Sequence, residues 1–386
     1  MKCIECGTNN WLSDRTKNQG FCRKCQHQFA FEPVHMEGSK MTDQYFKETI
    51  SSISSGDILF FTEKQFLYAI NRRLARYKIT DAEDKIPTSI NTFGVIFIIL
   101  SVISFTSSEI RELPFSDNLI AILVLSFVFS LFASPLIYAA DLLFGNRRQK
   151  QFSVTEAELH GWIERWKFVG NSIDKLLDPP QLTAAAATIS DEVSAYSFDR
   201  VIICDRATIA QLLIANNVHF ENSCAILSLN GYPAAIFDTV MQMLRRNSDL
   251  TVYVLHDATP QGISLIHTLK TSSEWFENQT LRYFELGLLP RQAIGKRQMI
   301  VNQSAVFVQE AELLPESVRQ SLSKAELEWL DRGYYVELES FSPRRIIRVV
   351  TQGIAKSFEP NNSDTLVEFE ENDWSNNSTY YADSFG

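Results

Sequence analysis

The chain has 386 residues, 45% of them hydrophobic, with 36 basic and 46 acidic side chains and a formal net charge of −10. That length allows two or three domains. The acidic balance argues against a general nucleic-acid binder, which carries a basic surface, and the apolar share excludes a wholly disordered chain.

Cys3-x-x-Cys6 and Cys22-x-x-Cys25 come first, separated by 15 residues. This is the four-cysteine spacing of a structural zinc site, in which two thiolates from each tight turn complete a tetrahedron and leave no position for substrate. Gly7 follows the first pair and Gly20 precedes the second, and Gln26-His27-Gln28-Phe29 resembles the strand after the second knuckle of zinc ribbons. Residues 1–38 are therefore read as a zinc ribbon ligating structural zinc through Cys3, Cys6, Cys22 and Cys25. Two disulfides are the alternative, which a reducing compartment disfavours. Such a ribbon docks a protein partner or nucleic acid, or only holds its own fold.

Residues 42–80 form a helical segment, with Phe46, Ile50 and Ile53 and then Leu67, Ile70 and Leu74 at helical spacing. Residues 88–145 read as a membrane hairpin. Ile90 to Ser108 runs 19 residues without a charge and Asn118 to Ala140 runs 23, against the 20 or so that a helix needs to cross hydrocarbon. Arg72, Arg73, Arg76 and Lys78 lie before the pair and Arg147, Arg148 and Lys150 after it. The positive-inside rule then places both termini on the cytoplasmic side of the inner membrane, in a two-pass arrangement with the lipid bilayer as a partner. A buried soluble hairpin is the competing explanation. Without an inward-facing ionisable pair, two helices make an anchor or a small homo-oligomeric bundle and not a transporter. Residues 151–190 hold an amphipathic helix, expected over Val154 to Leu177, followed by a linker.

Residues 196–356 alternate strand and helix. Val201-Ile202-Ile203-Cys204 closes on Asp205. Ala225-Ile226-Leu227-Ser228-Leu229 closes on Asn230-Gly231-Tyr232-Pro233. Val252-Tyr253-Val254-Leu255-His256 closes on Asp257-Ala258-Thr259-Pro260-Gln261-Gly262. Short apolar strands separated by helices indicate a parallel sheet covered on both faces, and the loops at the carboxyl ends of such strands form the ligand site. Asp205 and Asp257 would share that rim, where a few carboxylates suit Mg²⁺ or Mn²⁺. The alternative is an ordinary doubly wound domain whose two aspartates cap helices. Cys204 and Cys224 read as buried thiols. Arg291, Lys296 and Arg297, and again Arg344, Arg345 and Arg348, make local basic clusters, either phosphate contacts or solvated faces.

This segment resembles the toprim domain, most of all the version in the A subunits of topoisomerase VI and in the nuclease subunit of Wadjet-type plasmid-defence systems. The resemblance rests on the turns at 230–233 and 255–262, on Phe284-Glu285-Leu286-Gly287-Leu288-Leu289-Pro290, and on Ala325-Glu326-Leu327 through Gly333-Tyr334-Tyr335-Val336-Glu337-Leu338-Glu339 as a closing helix and strand. It covers residues 198 to 350. The resemblance implies a metal-dependent, prokaryotic nuclease or phosphodiester-acting enzyme. Asp205 and Asp257 would hold the ion, Thr259 would add a hydroxyl ligand, and the main chain at Gly231 and Gly262 would admit phosphate. Two departures weaken it: Asp205 stands where the family carries glutamate, and Thr259 where it carries a second aspartate.

Residues 357–386 hold seven acids and no Lys or Arg and read as a disordered acidic tail. The fold class expected is thus multidomain: a four-cysteine zinc ribbon, a transmembrane hairpin and a Rossmann-like α/β toprim-type domain. Two functions remain open. One is a membrane-anchored protein with a degenerate metal site that binds or processes nucleic-acid phosphodiesters in prokaryotic defence. The other is a non-catalytic, membrane-tethered scaffold that docks partners through the ribbon and the α/β domain. A third, weaker reading is an effector whose two helices perturb the membrane.

Overall fold

The computed structural model describes residues 1–36, 38–83, 153–183, 198–277, 279–296 and 299–357. The chain divides into two compact units, Met1–Asn71 with Ser153–Gly386, and Arg72–Phe152. The expected membrane hairpin and acidic tail lie outside the described residues, and no described helix is long and apolar enough to cross a membrane.

In chain order the described helices are α1 (Leu12–Lys17), α2 (Asp43–Ile53), α3 (Glu63–Glu83), α4 (Glu156–Phe168), α5 (Ala207–Ala215), α6 (Val218–Glu221), α7 (Phe237–Arg245), α8 (Pro260–Ile263), α9 (Leu265–Thr271), α10 (Pro290–Ala293), α11 (Ala305–Glu312), α12 (Glu316–Ser321), α13 (Lys324–Asp331) and α14 (Pro343–Lys356). The strands are β1 (Arg200–Cys204), β2 (Ala225–Ser228), β3 (Thr251–Leu255), β4 (Arg282–Glu285), β5 (Asn302–Gln303) and β6 (Tyr334–Tyr335). The main sheet runs β2-β1-β3-β4 and every pair in it is parallel. Its first three runs are buried on both sides, which is why they read as unbroken apolar stretches. Alternate residues serve opposite faces. Ile202, Cys204, Tyr253 and Leu255 join one core with α5, α13 and α14. Val201, Ile203, Val252 and Val254 join the other with α7, Trp275 and Phe276. Cys204 and Cys224 are buried thiols.

The helical stretch expected over residues 42–80 is two helices. Ser55, Gly56 and Asp57 all take positive φ (53°, 76° and 62°) and turn the chain between α2 and α3. The helix expected from Val154 to Leu177 ends at Phe168, just before Gly170 at φ +87°. It starts where the pattern asks, because Thr155 and Glu158 form a capping box. Trp166 lies in an aromatic cluster with Phe46 at 5.0 Å and Phe31 at 6.1 Å between ring centroids, so this tryptophan belongs to the core. Asn71 and Val154, at the two edges of the first unit's break, exchange two hydrogen bonds of 3.0 and 2.9 Å through the asparagine amide.

At the N-terminus two tight turns are closed by bridges between Lys2 and Asn9 and between Phe21 and Gln28. Gly7 supplies φ +69° after the first cysteine pair; after the second, Gln26 takes the same conformation at φ 62°. Helix α1 lies between the turns, an element the sequence pattern did not signal. The chain leaving the second turn is fixed by Asp43, whose carboxylate accepts from the Ala30 and Phe31 amides at 2.9 Å each.

A candidate acidic centre at the edge of the sheet

The order of the strands reverses between β1 and β3, since β1 leads out to β2 and the chain then returns across β1 to β3. A crevice at the carboxyl end of such a boundary is where α/β sheets bind ligands. Asp205 follows β1 directly and Asp257 follows β3 after one intervening residue, the strands being in register through the Cys204–Leu255 pair. The structure brings the two together: the Asp257 amide donates to Asp205 Oδ2 at 2.9 Å. Neither aspartate caps a helix. The cap of α8 is Thr259, whose hydroxyl accepts from the Gly262 amide at 3.1 Å. Thr259 is buried, and its oxygen is engaged in that bond. At Gly262 an added Cβ would lie 2.3 Å from the Asp257 carbonyl, so this glycine makes room for protein backbone. Gly231 adopts φ +77° in the turn after β2, with open space around it.

Two further carboxylates complete the centre. An antiparallel bridge from Ala258 to Val336 lays the chain after β6 along the Asp257 loop. The Leu338 amide donates to Asp257 Oδ1 at 2.6 Å, and Glu337 and Glu339, both 3% exposed, flank it. Arg206 reaches into this group. Its Nε lies 2.6 Å from Asp257 Oδ2, its Nη2 3.0 Å from Glu337 Oε1 and its Nη1 4.0 Å from Glu339 Oε2. From the other side come Thr62 and the residues that open α3. Lys64 Nζ donates to Glu337 Oε1 at 2.7 Å, the Tyr68 hydroxyl to Glu337 Oε2 at 2.6 Å, and Thr62 Oγ1 to Glu339 Oε1 at 2.7 Å. Asn302 then donates to the Tyr68 oxygen at 2.8 Å.

Burial and mutual repulsion set the electrostatics. Burial first, and the Asp205 carboxylate next, push Asp257 well above the usual carboxylate range. Burial also raises Asp205 and Glu339. Glu337 goes the other way: burial opposes its charge, but Lys64 and then Arg206 outweigh it and hold it low. Behind the centre, His256 is fully buried. Its Nδ1 lies 2.8 Å from the Asp257 carbonyl and its Nε2 3.0 Å from Glu285 Oε1. Burial opposes a charge on this ring, but the hydrogen bond and charge contact with Glu285 outweigh it and raise His256 above its ordinary value. Gly287 packs on that ring, and a Cβ there would lie 2.4 Å from His256 Cδ2.

A cleft of about 710 Å³ opens beside the centre, with Asp205, Arg206, Lys64, Asn230 and Gln261 in its wall. Its lining carries the carboxylates of Glu63, Glu156, Asp178, Asp205 and Glu339 against the two cations Lys64 and Arg206, both already paired with acids. Of the expected basic clusters, Arg345 is 3% exposed and lies over the Phe341 ring at 5.2 Å, Arg291 pairs with Glu326 at 3.6 Å, and Arg344, Arg348 and Lys296 are exposed.

The two expected metal sites differ in fit. Among the described residues, the one set of three or more ligating side chains whose donor atoms converge within 4.8 Å is Cys3, Cys6, Cys22 and Cys25. Four sulfurs in two turns suit zinc, which would hold the turns together. Burial pushes the Cys3 thiol up to about 12, while the Thr8 side chain and backbone draw Cys6 down to about 6. The Asn10 amide and the Lys24 backbone N–H both point at Cys22 Sγ from 3.5 Å. The acidic centre does not fit Mg²⁺ as built, because a guanidinium stands on the oxygens that the ion would need.

Residues 200–344 match the family model for the Toprim domain of the topoisomerase 6 A subunit and Spo11. The match suggests a nucleic-acid-related, metal-dependent function for this type of domain, and it supports the α/β part of the expected fold. No curated protein matches the chain. The sequence reading missed Arg206, Glu337, Glu339 and the Lys64–Tyr68 pair as members of the centre. One signal was present, the acidic pair Glu337-x-Glu339, although Glu339 lies in a short 3-10 helix over Leu338–Ser340 and not in a strand.

Proposed function

We propose that this protein is a non-cleaving scaffold of toprim type, in which the acidic rim serves as an ion-pair junction holding α3 against the α/β domain. One observation carries this reading: Arg206 occupies the carboxylate group that a hydrolytic metal ion would need. The charge of the cleft supports it. Phosphodiesters are repelled by a wall with more carboxylates than cations, whereas nucleic-acid channels are basic. The uncharged runs at 90–108 and 118–140 extend the proposal to location, with the scaffold tethered at the cytoplasmic face of a bilayer and its cysteine module presented to a protein partner.

The test is incubation of the full chain with supercoiled plasmid and single-stranded DNA in Mg²⁺ and in Mn²⁺. The expected result is no nicking by the native chain. Nicking that disappears in the double variant Asp205→Ala, Asp257→Ala would overturn the reading in favour of a metal-dependent nuclease. Flotation of the chain with lipid vesicles tests the tether, and failure to float would remove it.

A further inference from the structure

We propose that Arg206 is a resident cation standing in for a divalent ion, and that replacing it with a neutral side chain converts the acidic centre into a Mg²⁺- or Mn²⁺-binding site. The inference rests on the reading of the centre as a metal-free junction in the native chain, and it adds what keeps the metal out.

The geometry is that of one cation shared among several acids. Three nitrogens of a single guanidinium face Asp257, Glu337 and Glu339 at 2.6, 3.0 and 4.0 Å. The guanidinium therefore lies among these three carboxylates. Asp205, the preceding residue, offers a fourth. Its Oδ2 is taken by the Asp257 amide, while its Oδ1 is buried with no hydrogen-bond partner among the described residues. A buried carboxylate oxygen left alone is costly, and it marks a ligand position that the arginine does not reach.

Arginine excludes the ion in two ways. It carries a fixed charge that no accessible pH removes, so a divalent ion a few ångströms away is always repelled. Its Nε also sits on Asp257 Oδ2, where a metal would need a bond of about 2.1 Å. Lys64 does not duplicate this role, since its ammonium is bonded to Glu337 and its further charge contact is with Glu339. With the Arg206 side chain a third exposed and lining the cleft, its removal leaves a path for a hydrated ion to enter.

The experiment is a Mn²⁺ titration of the full-length, zinc-loaded chain, followed by the paramagnetic resonance signal of the free ion. The native chain is expected to leave Mn²⁺ free. Arg206→Gln should bind it saturably and at least about tenfold tighter, and adding Asp205→Asn should abolish that gain. Arg206→Lys, which keeps the charge, should behave as the native chain. If Arg206→Gln melts early, Mn²⁺ should raise its melting temperature while leaving the native one unchanged. The inference is overturned if Arg206→Gln binds no more tightly than the native chain and gains no thermal protection from Mn²⁺. It is equally overturned if the native chain already binds Mn²⁺ saturably and loses it on Asp205→Asn. DNA nicking is a separate readout, so loss of the scaffold reading is distinguishable from loss of this one.

Discussion

Arg206 Nε lies 2.6 Å from Asp257 Oδ2, and the two residues follow β1 and β3, the strands between which the sheet reverses its order. An arginine paired with a fully buried aspartate at that boundary ties together the two loops that would otherwise flank a ligand. The same guanidinium reaches Glu337, and Glu337 takes Lys64 and Tyr68 from α3. In the proposed reading the ligand crevice of the fold serves as a joint between α3 and the α/β domain.

The joint should contribute to stability as a network. Glu337→Ala strips the shared partner from Lys64 and Tyr68 and one of the partners of Arg206, both cations being about a third exposed. A loss of about 1–3 kcal/mol is expected in denaturant unfolding. Lys64→Met combined with Glu337→Gln in a double-mutant cycle should return a coupling of about 1–3 kcal/mol. A coupling near zero would mean that α3 rests on the domain through apolar contacts alone.

The His256–Glu285 pair sets a pH window. Burial alone would discharge His256, but its hydrogen bond and charge contact with Glu285 raise it. Burial would likewise raise Glu285, and His256 holds it low. The histidine contribution is full below its unfolded value of about 6.5 and fades as pH rises through the higher native value. The glutamate contribution is full above its unfolded value of about 4.3 and fades as pH falls through the lower native value. The pair therefore stabilises most between the two. Nitrogen NMR at neutral pH should find both ring nitrogens of His256 protonated, and Glu285→Gln should lower its midpoint. A neutral tautomer at about pH 6.5 would contradict the assignment.

The cysteine set should hold one zinc per chain. Metal analysis of the purified chain checks this, and a chain without zinc would remove the claim. Cys22→Ser should release the metal and lower the melting temperature of the first unit. The loss should spread beyond the turns, because the segment after Cys25 is anchored by the Asp43 carboxylate and by the Phe31–Phe46 contact at 5.0 Å.

Much of the α/β part was legible because its strands are buried on both faces and so write themselves as apolar runs between helices. The two aspartates were legible as neighbours because strand order places successive carboxyl ends on one rim. The cysteine turns were legible from spacing alone. What stayed hidden was the third dimension of the centre. Glu337 arrives through a single bridge between Ala258 and Val336, and Lys64 through packing of a helix more than 270 residues away in sequence. Arg206 was visible beside Asp205, yet only the fold shows that it turns inward and not to solvent. The break at Ser55–Asp57 was obscured because two of its three left-handed residues are not glycine.

The central claim is that the acidic rim is closed by an internal cation. A crystal structure of the full chain grown in Mn²⁺, with anomalous scattering measured for manganese, tests it most directly. The account predicts no manganese between Asp205 and Asp257 and an Arg206 guanidinium still on Asp257 and Glu337. A manganese ion bridging the two aspartates, with Arg206 swung out into the cleft, would contradict it.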